Sequence, residues 1–143
     1  MISAAMVFNV ARFSAWPDDA QGAGHFEVCY EAGGGMADAL ATIEGKEVAG
    51  RLVQAVPVDG QSAPRRRCHV YFVDGRASEE ELLAAAERGS LTVGRDDRFL
   101  RRGGAVRLSM EGRPRFSVNV RAARTAGVRP SSKLLRLAEE VVE

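Results

Sequence analysis

Cys68-His69-Val70-Tyr71-Phe72-Val73, then Ser78-Glu79-Glu80-Glu81-Leu82-Leu83-Ala84, then Leu91-Thr92-Val93 are the segments on which the fold turns. The first is a mostly apolar run, the pattern of a strand covered on both faces. Ser78 supplies an N-cap, Glu81 stands three places on where a capping box needs it, and three carboxylates face the positive end of the helix dipole. The helix predicted from there runs to Ala86 and stops at Gly89, leaving Leu91-Thr92-Val93 as the next strand. Strand, helix and strand on short turns make a crossover, and crossovers build parallel sheets covered by helices.

Upstream, His25 to Tyr30 reads as a first strand, Gly33-Gly34-Gly35 as a turn, and Met36, Leu40 and Ile43 as one face of a short helix ended by Gly45. Arg51 to Val56 is a second strand, followed by a polar turn with Pro57, Gly60 and Pro64. Residues 2–16 predict a helix that is apolar round most of its wheel, stopped by Pro17 ahead of an acidic loop at Asp18-Asp19. Downstream of Leu91-Thr92-Val93 lies a polar, Arg-rich connection from Arg95 to Gly104. Val106 to Met110 and Arg115 to Val120 then alternate with period two around Glu111-Gly112-Arg113-Pro114, a hairpin signature. A short helix over 121–127 comes next, then a final amphipathic helix capped by Ser131 or Ser132, with Leu134, Leu137, Ala138 and Val141 on its stripe. The expectation is one α/β domain over residues 1–143. Its sheet is mainly parallel with a C-terminal antiparallel hairpin at the edge, and helices lie on both faces.

At 143 residues there is room for one core, and 45% hydrophobic with 27% charged side chains excludes both wholesale disorder and a disulfide-dense miniprotein. The net charge of +1 hides an uneven distribution: residues 1–64 carry 3 basic and 8 acidic side chains, and residues 65–143 carry 17 and 11. Between Arg95 and Arg136 stand 12 basic residues against Asp96, Asp97 and Glu111. Such a stretch suits phosphate or an acidic protein surface. Nucleic acid is not expected, because only Phe99 and Phe116 interleave aromatic rings with the charges. No run is apolar for the roughly 20 residues a bilayer requires, and the opening residues lack a secretory n-region and h-region. Either the protein is cytosolic or this is a mature chain restarted at an introduced Met1.

No catalytic set emerges. Gly33-Gly34-Gly35 sits where a dinucleotide turn would, but Asp38 stands in place of the third fingerprint glycine and repels phosphate. His25, Glu27 and Cys29 share a strand face, which is weak evidence for a metal, and Cys68 and His69 point to opposite faces and so make no nucleophile pair. The chain is expected to be no enzyme and to use no cofactor or metal. Cys29 and Cys68 are either a disulfide, which would remove roughly 4 kcal/mol of unfolded-chain entropy, or two buried thiols acting as small hydrophobes.

Three stretches together resemble the YfiR family of small bacterial periplasmic proteins. They are Ala5 to Pro17 with its Asn9, aromatic residues and closing Trp16-Pro17; Cys68 to Val73; and an ordered series ending the chain. That series comprises Leu91-Thr92-Val93-Gly94, Arg102-Gly103-Gly104-Ala105-Val106, Arg115 to Asn119, Ala122 to Gly127 and Ser131-Ser132-Lys133-Leu134-Leu135. The resemblance implies a periplasmic location with the signal peptide removed. It also implies a non-catalytic regulator that binds the periplasmic sensor region of a membrane-bound diguanylate cyclase, or another membrane sensor, and holds the cyclase inactive. Family members can carry two cysteine pairs; here Cys29 and Cys68 would supply the one pair. The expected contact regions are Trp16 and the cluster Arg98, Arg101 and Arg102, since tryptophan and arginine are common hot-spot types. The apolar first helix suggests a homodimer or a partner covering it. A small-ligand carrier is the competing expectation, for which a pocket lined by Trp16, Phe13 and Tyr71 would speak.

Overall fold

The computed structural model describes residues 2–17, 24–59, 68–75 and 77–143. The expected acidic loop at Asp18-Asp19 and the turn residues Gly60 and Pro64 lie outside the described residues. In chain order the elements are α1 (Ile2–Arg12), β1 (Ser14–Ala15), β2 (Phe26–Glu31), α2 (Ala37–Ala41), β3 (Glu47–Val48), β4 (Arg51–Val58), β5 (Val70–Phe72) and α3 (Glu79–Glu87). They continue as β6 (Leu91–Gly94), β7 (Val106–Ser109), β8 (Arg115–Asn119), α4 (Val120–Thr125), β9 (Arg129–Pro130), α5 (Ser132–Leu137) and β10 (Glu140–Val142).

Eight strands form one sheet in the order β10-β8-β7-β6-β5-β2-β4-β3. The inner pairs from β4 through β2, β5 and β6 to β7 are parallel, and β7 with β8 is the expected antiparallel hairpin. The capping box forms as the sequence predicts: Ser78 Oγ accepts from the Glu81 backbone N–H, and the Glu81 carboxylate accepts from the Ser78 N–H.

Alternation along the strands sorts side chains to two faces. On one face Phe26, Val28, Val70, Phe72, Leu91, Val93, Val106 and Leu108 pack with Ala4, Val7, Val10 and Ala11 of α1 and Leu40 of α2 in the main core. On the other, Cys29, Val58 and Cys68 form one small cluster, and Val73, Leu82 of α3 and Phe99 form another. Helices therefore cover both faces, with the 95–104 connection helping α3. Phe99 is held by shape: a Cβ added at Gly94 or Gly104 would lie 2.6 or 2.2 Å from its ring, so only glycine lets the backbone close on both sides of it.

Two helix ends and the sheet edge are corrected, and Pro57, expected in a turn, lies within β4 opposite Tyr30. The first helix ends at Arg12, not at Trp16. Its last carbonyls are satisfied by side chains, Ser14 Oγ donating to Val10 O and the Trp16 indole N–H to Ala11 O, while Ser14 and Ala15 pair with Pro130 and Arg129. The final helix ends at Leu137. Ala138 is extended, the Glu139 N–H donates to Phe116 O, and Glu140–Val142 adds a parallel strand to β8. In so short a window the stripe of Leu134, Leu137 and Val141 does not separate a helix from a strand, and the open edge of β8 decides. As a result the hairpin does not form the edge; β10 does.

Candidate functional site

Trp16 lies at the amino end of β2. Its ring stands edge-on to Phe26 with centroids 4.8 Å apart, and Phe26 is stacked on His69 at 4.7 Å. His69 Nδ1 accepts from the Glu27 backbone N–H, and its Nε2 lies 2.7 Å from Arg51 Nη1. The cleft between Trp16, Pro17, Ala49, Arg51 and His69 measures only about 180 Å³. With its indole N–H bonded to Ala11 and its ring on Phe26, Trp16 braces the end of α1 against the sheet.

The arginine cluster divides. Arg102 is half-buried and ion-paired with Asp96, so it is engaged within the connection. Arg107 bonds Asp97 at 2.7 Å and Asp96 O at 3.2 Å. Arg98 and Arg101 are exposed, and their guanidinium groups form no ion pair among the described residues. They line a cleft of about 460 Å³ with Asp97, Leu100, Arg107, Glu140 and Val142, while the Arg98 backbone N–H donates to Asp96 Oδ1. Trp16 and the free arginines line no common cavity among those described.

Sequence reasoning missed a larger groove of about 610 Å³. Met6 and Val10 of α1, Phe13 just beyond it, Phe116 of β8, and Leu134 and Leu137 of α5 give it an apolar lining; Arg12 and Arg113 stand at its margin. Its floor is fixed by the Glu139 N–H to Phe116 O bond and by the Arg115–Glu139 ion pair. The groove and the Arg98/Arg101 cleft border the same short stretch, Ala138–Val142. The signals available were Leu137, too apolar for an exposed helix position, and the two arginines flanking Pro114.

The other candidates resolve into structure. Cys29 and Cys68, both buried, are joined by a disulfide, and His69 packs against Phe26 on the main-core side of the sheet, so the two form no nucleophile pair. His25 is exposed, and no cluster of three or more His, Cys, Asp or Glu among the described residues is placed to hold a metal ion. Gly34 lies directly against the Asp74 carboxylate, negative charge where a dinucleotide would put its own. Phe13 lines the groove, Trp16 the small cleft, and Tyr71 packs beside Cys29 and Cys68, so the pocket expected to join these three is not among those described. Burial, with Glu31 and Glu81 adding negative charge nearby, pushes the Tyr71 hydroxyl up to about 12. The rings of Phe8 in α1 and of Phe13 just beyond it are flanked by cations: Arg12 lies over Phe8 and Phe13, Lys46 over Phe8 and Lys133 over Phe13. The motive for a homodimer, an uncovered apolar helix, is thereby weakened.

A family model described as YfiR/HmsC-like matches residues 1–139 of the 143. Comparison with the curated proteins returns no match.

Proposed function

The chain belongs to the YfiR/HmsC-like family, and from that membership we propose that it is a non-catalytic periplasmic regulator. It binds the periplasmic sensor region of a membrane-bound diguanylate cyclase, holds the enzyme inactive and lowers cyclic di-GMP. The observation that carries this reading is the family match along nearly the whole chain. Two features agree with it. The buried Cys29–Cys68 bond suits an oxidising compartment, and no described helix is long and apolar enough to cross a membrane.

The contacts proposed are the free guanidinium groups of Arg98 and Arg101, beside the stretch Ala138–Val142. Arg102 is left out because Asp96 holds it, and Trp16 because its ring and N–H serve the fold. In cells lacking their own copy but keeping the cyclase encoded beside it, the wild type lowers cyclic di-GMP and the variant R98A/R101A lowers it less. A wild type that leaves cyclic di-GMP unchanged overturns the regulatory reading. A double variant as active as wild type overturns only the contact assignment.

A further inference from the structure

We propose that the groove between α1, the β7–β8 turn and α5 is a docking site for an acidic amphipathic segment of a partner protein. In resting on the regulatory reading for its partner, the proposal says which chemistry that partner must offer. The lining is apolar and a partner's leucine or aromatic side chains would fill it; at about 610 Å³ it admits a few such anchors and not a whole helix. The margin is cationic. Arg12 and Arg113, which line it, and Lys133, which lies over the Phe13 ring beside it, form no ion pair among the described residues, and the one acid lining the groove, Glu139, is already paired with Arg115. A segment that placed apolar residues in the groove and carboxylates along its margin would therefore satisfy both.

The cations are also held in position. Arg12 and Lys133 both lie over the Phe13 ring, at 4.7 and 5.4 Å from its centroid, so two positive charges flank the ring that lines the groove. Leu137, two-thirds exposed at the groove's edge, is the most exposed large apolar side chain among those described. An exposed apolar side chain beside unpaired arginines suits a partner that is apolar at the contact and acidic around it, with charge complementarity selecting that partner.

The groove is tested with fluorescein-labelled peptides of about fifteen residues, carrying leucines at i, i+3, i+4 and i+7 for one apolar face. Glutamate fills the other positions in the first peptide, lysine in the second, and the third is the glutamate peptide shuffled to destroy the stripe. Anisotropy is expected to show the striped glutamate peptide binding roughly tenfold or more tightly than either other. R12E/R113E should reverse the preference towards the lysine peptide, and Leu137→Asp should weaken both. Unchanged melting temperatures establish that the variants are folded. Equal binding of all three peptides, or a preference that R12E/R113E does not reverse, overturns the proposal. So does capture of wild type, but not R12E/R113E, by phosphatidylglycerol vesicles without a matching peptide preference, which makes the surface a lipid contact. Retention of the cyclase sensor domain on immobilised protein separates the two readings. If wild type and R12E/R113E retain it equally, the groove assignment falls and the regulatory reading stands; if neither does while the peptide preference holds, the regulatory reading falls and the groove stands.

Discussion

The two faces of the sheet are held by different means. On the α1 and α2 side one large cluster runs from Val48 and Val53 across Phe72 to Leu108 and takes in residues from four helices. The α3 side has two small clusters, and within them stand a covalent bond, Cys29–Cys68, and one aromatic ring clasped between two glycines. Apolar area is the general source of stability, at about 25 cal/mol per Å² removed from water. Where the sequence supplies little of it, constraint of the unfolded chain and close fit take over.

The largest effect expected is on the rich face. Phe72→Ala leaves a cavity in the main core and should cost about 3–5 kcal/mol, read from urea unfolding. Reducing Cys29–Cys68 should cost about 2–4 kcal/mol and lower the melting temperature by several degrees. Hydrogen exchange should then rise at the β5 amino end and in neighbouring β2, which carries Cys29, before it rises in α1. A loss of protection spread evenly over both faces would break the comparison. Gly104→Ala, which drives a methyl into the Phe99 ring, should cost about 1–3 kcal/mol by overpacking, although it adds apolar volume to a lean cluster. A neutral or stabilising result would mean that this face is loosely packed.

The smallest effect is the pH response of Tyr71. Its folded-state pKa of about 12 lies above the unfolded value near 10, so the native state holds the proton more tightly. The stabilisation is complete below pH 10 and is lost as pH rises from about 10 towards 12. Absorbance titration of tyrosinate should show a step near pH 12 that disappears in Tyr71→Phe; a spectrum without that step would show Tyr71 to be better solvated than its surroundings imply.

The sheet was legible because its evidence is local. Strand alternation, the Ser78–Glu81 capping box and the turn at Glu111-Gly112-Arg113-Pro114 each lie within a few residues of one another. β10 was not legible, since Val141, on an apparent helical stripe, and its two neighbours take their state from the free edge of β8. The groove was hidden for the same kind of reason: its lining comes from residues 6–13, 113–116 and 134–139, and nothing local says that these meet. Charge counting found the arginine-rich stretch but could not distinguish Arg102, paired with Asp96, from Arg98 and Arg101. The Phe99 clasp had a signal that went unread, glycines at 94 and 104 flanking a lone aromatic residue.

The short ladder joining Ser14–Ala15 to Arg129–Pro130, with the Ser131 N–H donating to Phe13 O, bears on the order in which the chain folds. β1, just after α1, finds its strand partner only in residues near 130, and α1 shares its core with Leu134 as well as with Leu40 and Val48. Loop closure over such a span costs little in equilibrium terms, since each doubling of length adds about 0.6 kcal/mol, but it must precede the contacts that reward it. Part of the cover of α1 therefore depends on contacts far away in the chain, which form late when loop closure limits folding. Refolding rates should consequently respond more to changes in Val128 and Leu134 than to changes in the α2 turn, which can form from neighbours alone.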